Sequence, residues 1–186
     1  MVVPFVRMNR TPQKFLSQSE VIYSPQAVSD AIQALAINIT RDLQDQKPLV
    51  LTVMNGGLYF AGQLLPRLDF PLEQDYVQAT RYQGGVEGKE IHWRTAPTAK
   101  VKGRVVLLLD DILDAGVTLA AVRDACLALG AAQVKVAVLT EKDLGQAKPI
   151  EADYVGLVVP DRYVFGCGMD VYGWWRNLPA IYALKA

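Results

Sequence analysis

The 186-residue sequence has two cysteines, one histidine and no excess charge of either sign, with 19 basic side chains against 19 acidic ones. Each scarcity argues against a class of function. Cys126 and Cys167 show no metal-ligand or CxxC spacing, so neither a zinc module nor a disulfide-built fold is expected and the thiols should be reduced. Balanced charge leaves no bulk electrostatic footprint for nucleic acid. The longest apolar runs, such as residues 105–109, are strand-sized and far short of the roughly 20 residues a membrane helix needs. Residues 1–10 are mixed in polarity and lack the apolar core of a secretory signal, which makes a cytoplasmic protein the expectation. There is no internal repeat and no low-complexity tract.

What is present is a globular balance, 51% hydrophobic and 20% charged, in a length suited to one domain with a small appendage. Ser24 followed by Pro25 is a helix start, a hydroxyl cap before a proline at the first helical position. Val28, Ala31, Ile32, Leu35, Ala36, Ile39 and Leu43 then recur at helical spacing. Residues 49–54 are a short, mainly apolar run, as in a strand buried on both faces. Asn55, Gly56 and Gly57 end it, and Leu58, Ala61, Leu64, Leu65 and Leu68 return to helical period, completing a βα unit.

Residues 75–80 read as another strand. Residues 82–100 are polar, with Gly84, Gly85, Gly88 and Pro97, and form a candidate lid. Within them Ile91, Trp93 and Thr95 alternate with His92 and Arg94, the pattern of a two-stranded ribbon. The clearest strand is 104–109, with residues 110–118 expected as a loop. The helix after it carries Leu119, Val122, Cys126 and Leu129 inward and stops at Gly130. Strands are expected at 134–139, 154–159 and 180–184. Alternating strands and helices imply an α/β fold with a mostly parallel sheet.

One run carries chemistry. VVLLLDDILDAGVT, residues 105–118, joins five apolar residues, two adjacent carboxylates, a third carboxylate and a glycine turn before a helix. Parallel sheets bind ligands at the carboxyl ends of their strands, and a helix N-terminus offers free backbone N–H groups and a positive dipole to a phosphate. Ala115, Gly116, Val117 and Thr118 are therefore a candidate phosphate cradle, in which small side chains let the backbone approach and the Thr118 hydroxyl adds a donor. Asp110 and Asp111 repel each other unless something satisfies them, and the vicinal hydroxyls of a ribose are suitable donors. The competing reading is a buried strand with an acidic solvated turn, or acids that bind metal alone. Mg²⁺, however, shares its shell with substrate phosphates.

This run resembles the phosphoribosyl pyrophosphate signature of type I phosphoribosyltransferases, and the rest of the chain from about residue 21 resembles the hypoxanthine-guanine phosphoribosyltransferases. The resemblance implies one phosphoribosyltransferase domain: a mostly parallel sheet flanked by helices, a small hood subdomain from about 10–24 and 160–186, and a mobile loop at about 82–100. It implies that Asp110 and Asp111 hold the ribose hydroxyls and magnesium, that Asp114 is the general base at N7 of the purine, and that residues 114–118 bind the 5′-phosphate. Met54, Asn55 and Gly56 resemble the pyrophosphate loop, with a cis peptide between Met54 and Asn55, and Arg176 reaches the same group. Arg81 and Tyr82 resemble the start of the closing loop. Lys142 matches the lysine that donates to the 6-oxygen. Tyr163, Val164, Met169 and Asp170 resemble the base clamp, with Asp170 near a second magnesium.

The implied reaction moves the phosphoribosyl group from Mg-phosphoribosyl pyrophosphate to N9 of hypoxanthine or guanine, in a homodimer or homotetramer. Alternatives are a xanthine-preferring enzyme, or a nucleotide-sensing RNA-binding regulator on the same fold. Three positions depart from the family: Asn55 and Val117, where lysine is frequent, and Ala115, where threonine is. Two positive charges and a hydroxyl are thus missing near the phosphates.

Other singled-out residues have plainer readings. Lys142 competes with an ordinary surface lysine, and Tyr163 with a packing aromatic. Trp174 and Trp175 read as packing or interface residues, His92 as solvent-facing, Cys126 as core and Cys167 as structural.

Overall fold

The computed structural model describes residues 11–81 and 91–185. In chain order the elements are α1 (Pro12–Ser17), β1 (Ser19–Tyr23), α2 (Pro25–Leu43), β2 (Leu49–Val53), α3 (Gly57–Leu64), β3 (Glu73–Arg81), β4 (Ile91–Thr95), β5 (Val105–Leu113), α4 (Val117–Ala128), β6 (Gln133–Lys142), β7 (Tyr154–Val159), β8 (Val164–Phe165) and β9 (Ile181–Leu184). Tyr82 and residues 83–90 of the loop expected at 82–100 lie outside the described residues.

The main sheet has six strands in the order β4-β3-β2-β5-β6-β7. All pairs are parallel except β3 with β4, which is antiparallel and makes the ribbon expected at 91–95 an edge of this sheet. The central strands read as continuous apolar runs because both faces are covered. Val50, Leu107, Leu109, Ala137 and Leu139 face a cluster built with α2 and α3. Leu49, Leu51, Val106, Leu108, Val136 and Val138 face a second cluster with α4. A smaller sheet, β1-β9-β8, joins segments from both ends of the described chain. Beneath it Phe15, Phe165 and Val171 form a third cluster, and Trp175 ties α1 down by donating from Nε1 to Pro12 O at 2.7 Å.

The helix at α2 starts as its sequence directs, with the Ser24 hydroxyl accepting from Ala27 N and Pro25 in the first turn. Three local expectations are corrected. The segment 110–118 is not a loop from its first residue: β5 continues to Leu113 because β6 runs alongside it, pairing Ile112 with Thr140 and Leu113 with Glu141. Leu58 is exposed: Ala61, Leu64 and Leu68 are buried as expected, but the first turns of α3 bury Gly57 and Phe60 in place of Leu58. Leu129 is also exposed, because α4 ends at Ala128 and the chain turns away through Gly130 at φ 88°.

Among the described residues no helix is long and apolar enough to cross a membrane. Both cysteines are free and buried, and burial pushes the Cys167 thiol up to about 12 and the Cys126 thiol up to about 11, so neither is a ready nucleophile.

Candidate active site

The site is built at the carboxyl ends of β2, β5 and β6, with the 163–176 segment closing one side. After β2 the backbone of Met54 donates to Val77 O at 2.8 Å, and the Met54–Asn55 peptide is cis. Gly56 is required by contact: a Cβ there would lie 2.3 Å from Asp111 Oδ2. Gly57 is required likewise, since a Cβ would lie 2.6 Å from Leu109 O. The glycine pair thus lets the turn after β2 lie directly on the acidic tip of β5.

At that tip the Asp110 carboxylate accepts from the Asp111 backbone N–H at 2.9 Å. Burial, then the neighbouring Asp111, hold the Asp110 carboxyl well above the usual carboxylate range. Burial also raises Asp111, with Asp110 and the Arg176 guanidinium pulling the other way. Two crowded carboxylates are poorly satisfied as a free pair, and a divalent cation or hydroxyl donors would relieve them. Among the described residues no cluster of three or more His, Cys, Asp or Glu side chains forms a closed metal cage. Asp110 and Asp111, side by side on the wall of one cavity, offer oxygens suited to an ion that completes its shell from other oxygens.

Beyond Leu113 the chain turns through Asp114, Ala115 and Gly116 into α4. Gly116 is the N-cap, at φ 77°, and a Cβ there would also press on Ile150 and Leu113 at 3.1 and 3.2 Å. Asp114 is half-exposed and accepts from Lys142 Nζ at 3.1 Å. Lys142 is the last residue of β6, so the extension of β5 and β6 past the apolar core brings these two groups together. The 163–176 segment is pinned by Gly168, at φ 108°, where a Cβ would lie 2.2 Å from Gly56 O. Arg176 donates to Gly168 O at 2.6 Å, pairs with Asp170, and stands 3.9 Å from Asp111 Oδ2. The second Asp170 oxygen accepts from Gly173 N at 2.7 Å. Tyr163 is half-exposed, and its ring stacks in parallel with Tyr172 at 6.1 Å.

Two cavities result. One, of about 420 Å³, is lined by Lys142, Tyr163, Val164, Met169 and Asp170. The other, of about 400 Å³, is lined by Met54, Asn55, Gly56, Asp110, Ala115, Gly116 and Thr118. Asp111, Ile112, Asp114 and Arg176 line both, so the cavities adjoin along the acidic tip of β5. Most residues named from the sequence meet here. Val117 stands at the start of α4 outside both linings. The side chain of Arg81, the last residue of β3, and the whole of Tyr82 lie outside the described residues.

Sequence reasoning missed two groups of residues. Gln78, Thr80 and Arg94 line the second cavity. Their signal was present in part, since the alternation in 91–95 set Arg94 opposite Trp93 without showing what that face met. Lys148 was also missed: its buried ammonium donates to Leu113 O at 3.1 Å, Lys142 O at 2.6 Å and Glu141 Oε1 at 2.9 Å, tying together the ends of β5 and β6. Nothing local marks a lysine that acts across strands.

The chain matches the phosphoribosyl transferase domain family over residues 18–173. It is 34% identical over 167 residues to a hypoxanthine-guanine phosphoribosyltransferase of Streptococcus pneumoniae, covering 89% of this chain and 93% of that one. It is also 34% identical to a hypoxanthine-guanine-xanthine phosphoribosyltransferase of Tritrichomonas foetus, covering 89% of this chain and 91% of the relative. Among solved structures, a hypoxanthine phosphoribosyltransferase of Staphylococcus aureus superposes with a TM-score of 0.83 at 28% identity, covering 89% and 91% of the two chains. With that fold, these relatives and the acidic strand tip at the junction of two cavities, the chain belongs to the phosphoribosyl transferase domain family.

Proposed function

We propose that the protein transfers the phosphoribosyl group of Mg-bound phosphoribosyl pyrophosphate to N9 of hypoxanthine or guanine, forming IMP or GMP and pyrophosphate. The observation that carries this reading is the junction of the two cavities at Asp111, Asp114 and Arg176. A base in the first cavity and a sugar phosphate in the second would place the reacting bond at that junction.

Lys142 and Asp114 lie 3.1 Å apart, and on a 6-oxopurine O6 and N7 are neighbours on one edge. A lysine donor to O6 beside a carboxylate that accepts the N7 proton matches that edge. Adenine presents an amino donor at the same position, which opposes the ammonium. Tyr163 stacks on the base, the Val164 backbone reads its edge and Met169 lines the floor. Asp110 and Asp111 receive the ribose hydroxyls, and residues 114–118 hold the 5′-phosphate on the N-terminus of α4. Met54, Asn55, Gly56 and Arg176 hold the departing pyrophosphate, with Arg81 and Tyr82 at the start of the segment that covers it.

Asp110 and Asp111 would hold one magnesium and Asp170 would stand near a second, each shared with substrate oxygens, and the ions would neutralise phosphate charge. As the C1′ bond breaks, the fixed carboxylates of β5 face the positive charge that develops there. The working form is a cytoplasmic homodimer or homotetramer.

A competition assay with hypoxanthine, guanine, xanthine and adenine in the presence of Mg-phosphoribosyl pyrophosphate tests this reading. IMP and GMP should form and AMP should not. No nucleotide from any purine would overturn it in favour of a nucleotide-sensing regulator, and XMP as the dominant product would move the preference to xanthine.

A further inference from the structure

The second cavity is lined by three acids, Asp110, Asp111 and Asp114, yet the donor proposed for it is a polyanion. Asn55, which lines this cavity, and Val117, at the start of α4, stand where the resemblance implies lysine, and neither carries a charge. Among the described residues, Arg94 and Arg176 are the only cationic side chains that line this cavity. Arg176 stands at the junction of the two cavities, bonded to Gly168 O and Asp170, whereas Arg94 lines the second cavity alone. Arg94 is exposed, and its side chain enters no hydrogen bond or ion pair among the described residues.

The backbone explains how an edge strand sends an arginine there. In the pairing of β3 with β4, Gln78 faces Thr95 while the next residue, Ala79, faces Trp93, so Arg94 is the extra residue of a bulge. A bulge leaves one residue out of the ladder and turns its side chain away from strict alternation. Gln78, Ala79 and Thr80 line the same cavity, which places the bulge at its wall. In the sheet order β4-β3-β2-β5, the bulge lies on the side of the turn after β2, away from the far flank of β5.

We infer that Arg94 is a substrate-binding residue that grips the diphosphate end of the sugar-phosphate donor, supplying from β4 the positive charge that Asn55 and Val117 do not provide. The inference rests on the phosphoribosyl-transfer reading for its ligand. A guanidinium suits the role because its planar fork matches two phosphate oxygens at once.

The test is Arg94→Ala, with Arg94→Lys alongside, in steady-state turnover of hypoxanthine. Loss of a charge-assisted hydrogen bond predicts a KM for phosphoribosyl pyrophosphate raised roughly 10- to 100-fold in Arg94→Ala. The KM for hypoxanthine should change less than about twofold, because uniform binding of the other substrate is untouched. Arg94→Lys should recover part of the loss, and adding Asn55→Lys to Arg94→Ala should recover it by another route. An unchanged donor KM, or an equal rise in the KM for the base, would overturn the assignment.

Calorimetry separates this from the wider reading, with magnesium pyrophosphate and ribose 5-phosphate as probes. Weaker pyrophosphate binding in Arg94→Ala with ribose 5-phosphate binding retained supports Arg94 even if no purine is turned over. A loss confined to ribose 5-phosphate contradicts it.

Discussion

Asp110 is the residue whose local chemistry is least comfortable in the free protein. It is crowded by Asp111 and withdrawn from water, and both influences raise its pKa. A carboxyl raised in the folded state binds more protons than in the unfolded chain, so its contribution to stability falls as pH rises through the folded-state titration. Most surface carboxylates behave in the opposite sense. Asp110→Asn removes that cost while keeping an oxygen for the Asp111 N–H. It should stabilise the ligand-free protein at neutral pH by about 1 kcal/mol, a rise in Tm of about 2–4 °C for a chain of this size. Turnover should fall if Asp110 takes its proposed place at the ribose hydroxyls. A thermal melt without ligand checks the first part, and a lower Tm would contradict it.

Lys148 shows the reverse case, a charge that is well satisfied and that organises its neighbours. Its three contacts span Leu113 O, Lys142 O and the Glu141 carboxylate, so the residue before Asp114 and the backbone of Lys142 are held by one ammonium. Lys148→Met keeps the stem and removes the clip. Since a misplacement of about 1 Å at a reacting centre can cost on the order of 100-fold, kcat with hypoxanthine should fall by roughly 10- to 100-fold. Binding of phosphoribosyl pyrophosphate should change little, and Lys148→Arg should retain more activity than Lys148→Met. Parallel loss of donor binding would mean that the clip holds the whole fold rather than the purine side.

At the scale of elements, the strand–turn–helix from β5 to α4 decides the site, and its glycine is specified twice. Gly116 holds a left-handed φ of 77° and has Ile150 and Leu113 within 3.2 Å of where a Cβ would stand. Gly116→Ala should cost at least the left-handed penalty of about 1–2 kcal/mol in denaturant unfolding. Gly62 is the contrast, a helical position in α3 with nothing within 4 Å of an added Cβ. Gly62→Ala should stabilise by roughly 0.5–1 kcal/mol. Equal effects of the two would contradict the geometric argument.

Elements also show what the sequence made legible. β2, β5 and β6 could be read because strands buried on both faces are continuous apolar runs, and α2 because its cap, proline and stripe agree. The extension of β5 through Asp110 and Asp111 could not be read locally, because it depends on β6 lying beside it as far as Glu141. The bulge at Arg94 and the reach of Lys148 were hidden for the same reason: each is defined by a partner strand distant in sequence. Leu58 was misplaced because the start of α3 turns Gly57 and Phe60 inward, while Ala61 and Leu64 keep the expected face.

For the whole molecule, the six-stranded sheet presents its strand ends to the 163–176 segment, and the two meet where Gly168 packs on Gly56. That contact sets one cavity against the other with Asp114 between them. We propose that the two cavities form one reaction centre in which Asp114 takes the proton from N7 of a 6-oxopurine. The most direct measurement is turnover of hypoxanthine by the protein and by Asp114→Asn, with phosphoribosyl pyrophosphate binding measured on both. With Asp114 as the proposed general base, its loss should lower kcat by ~100-fold or more while donor binding is largely kept. An unchanged kcat in Asp114→Asn, or no turnover in the unaltered protein, would contradict the account.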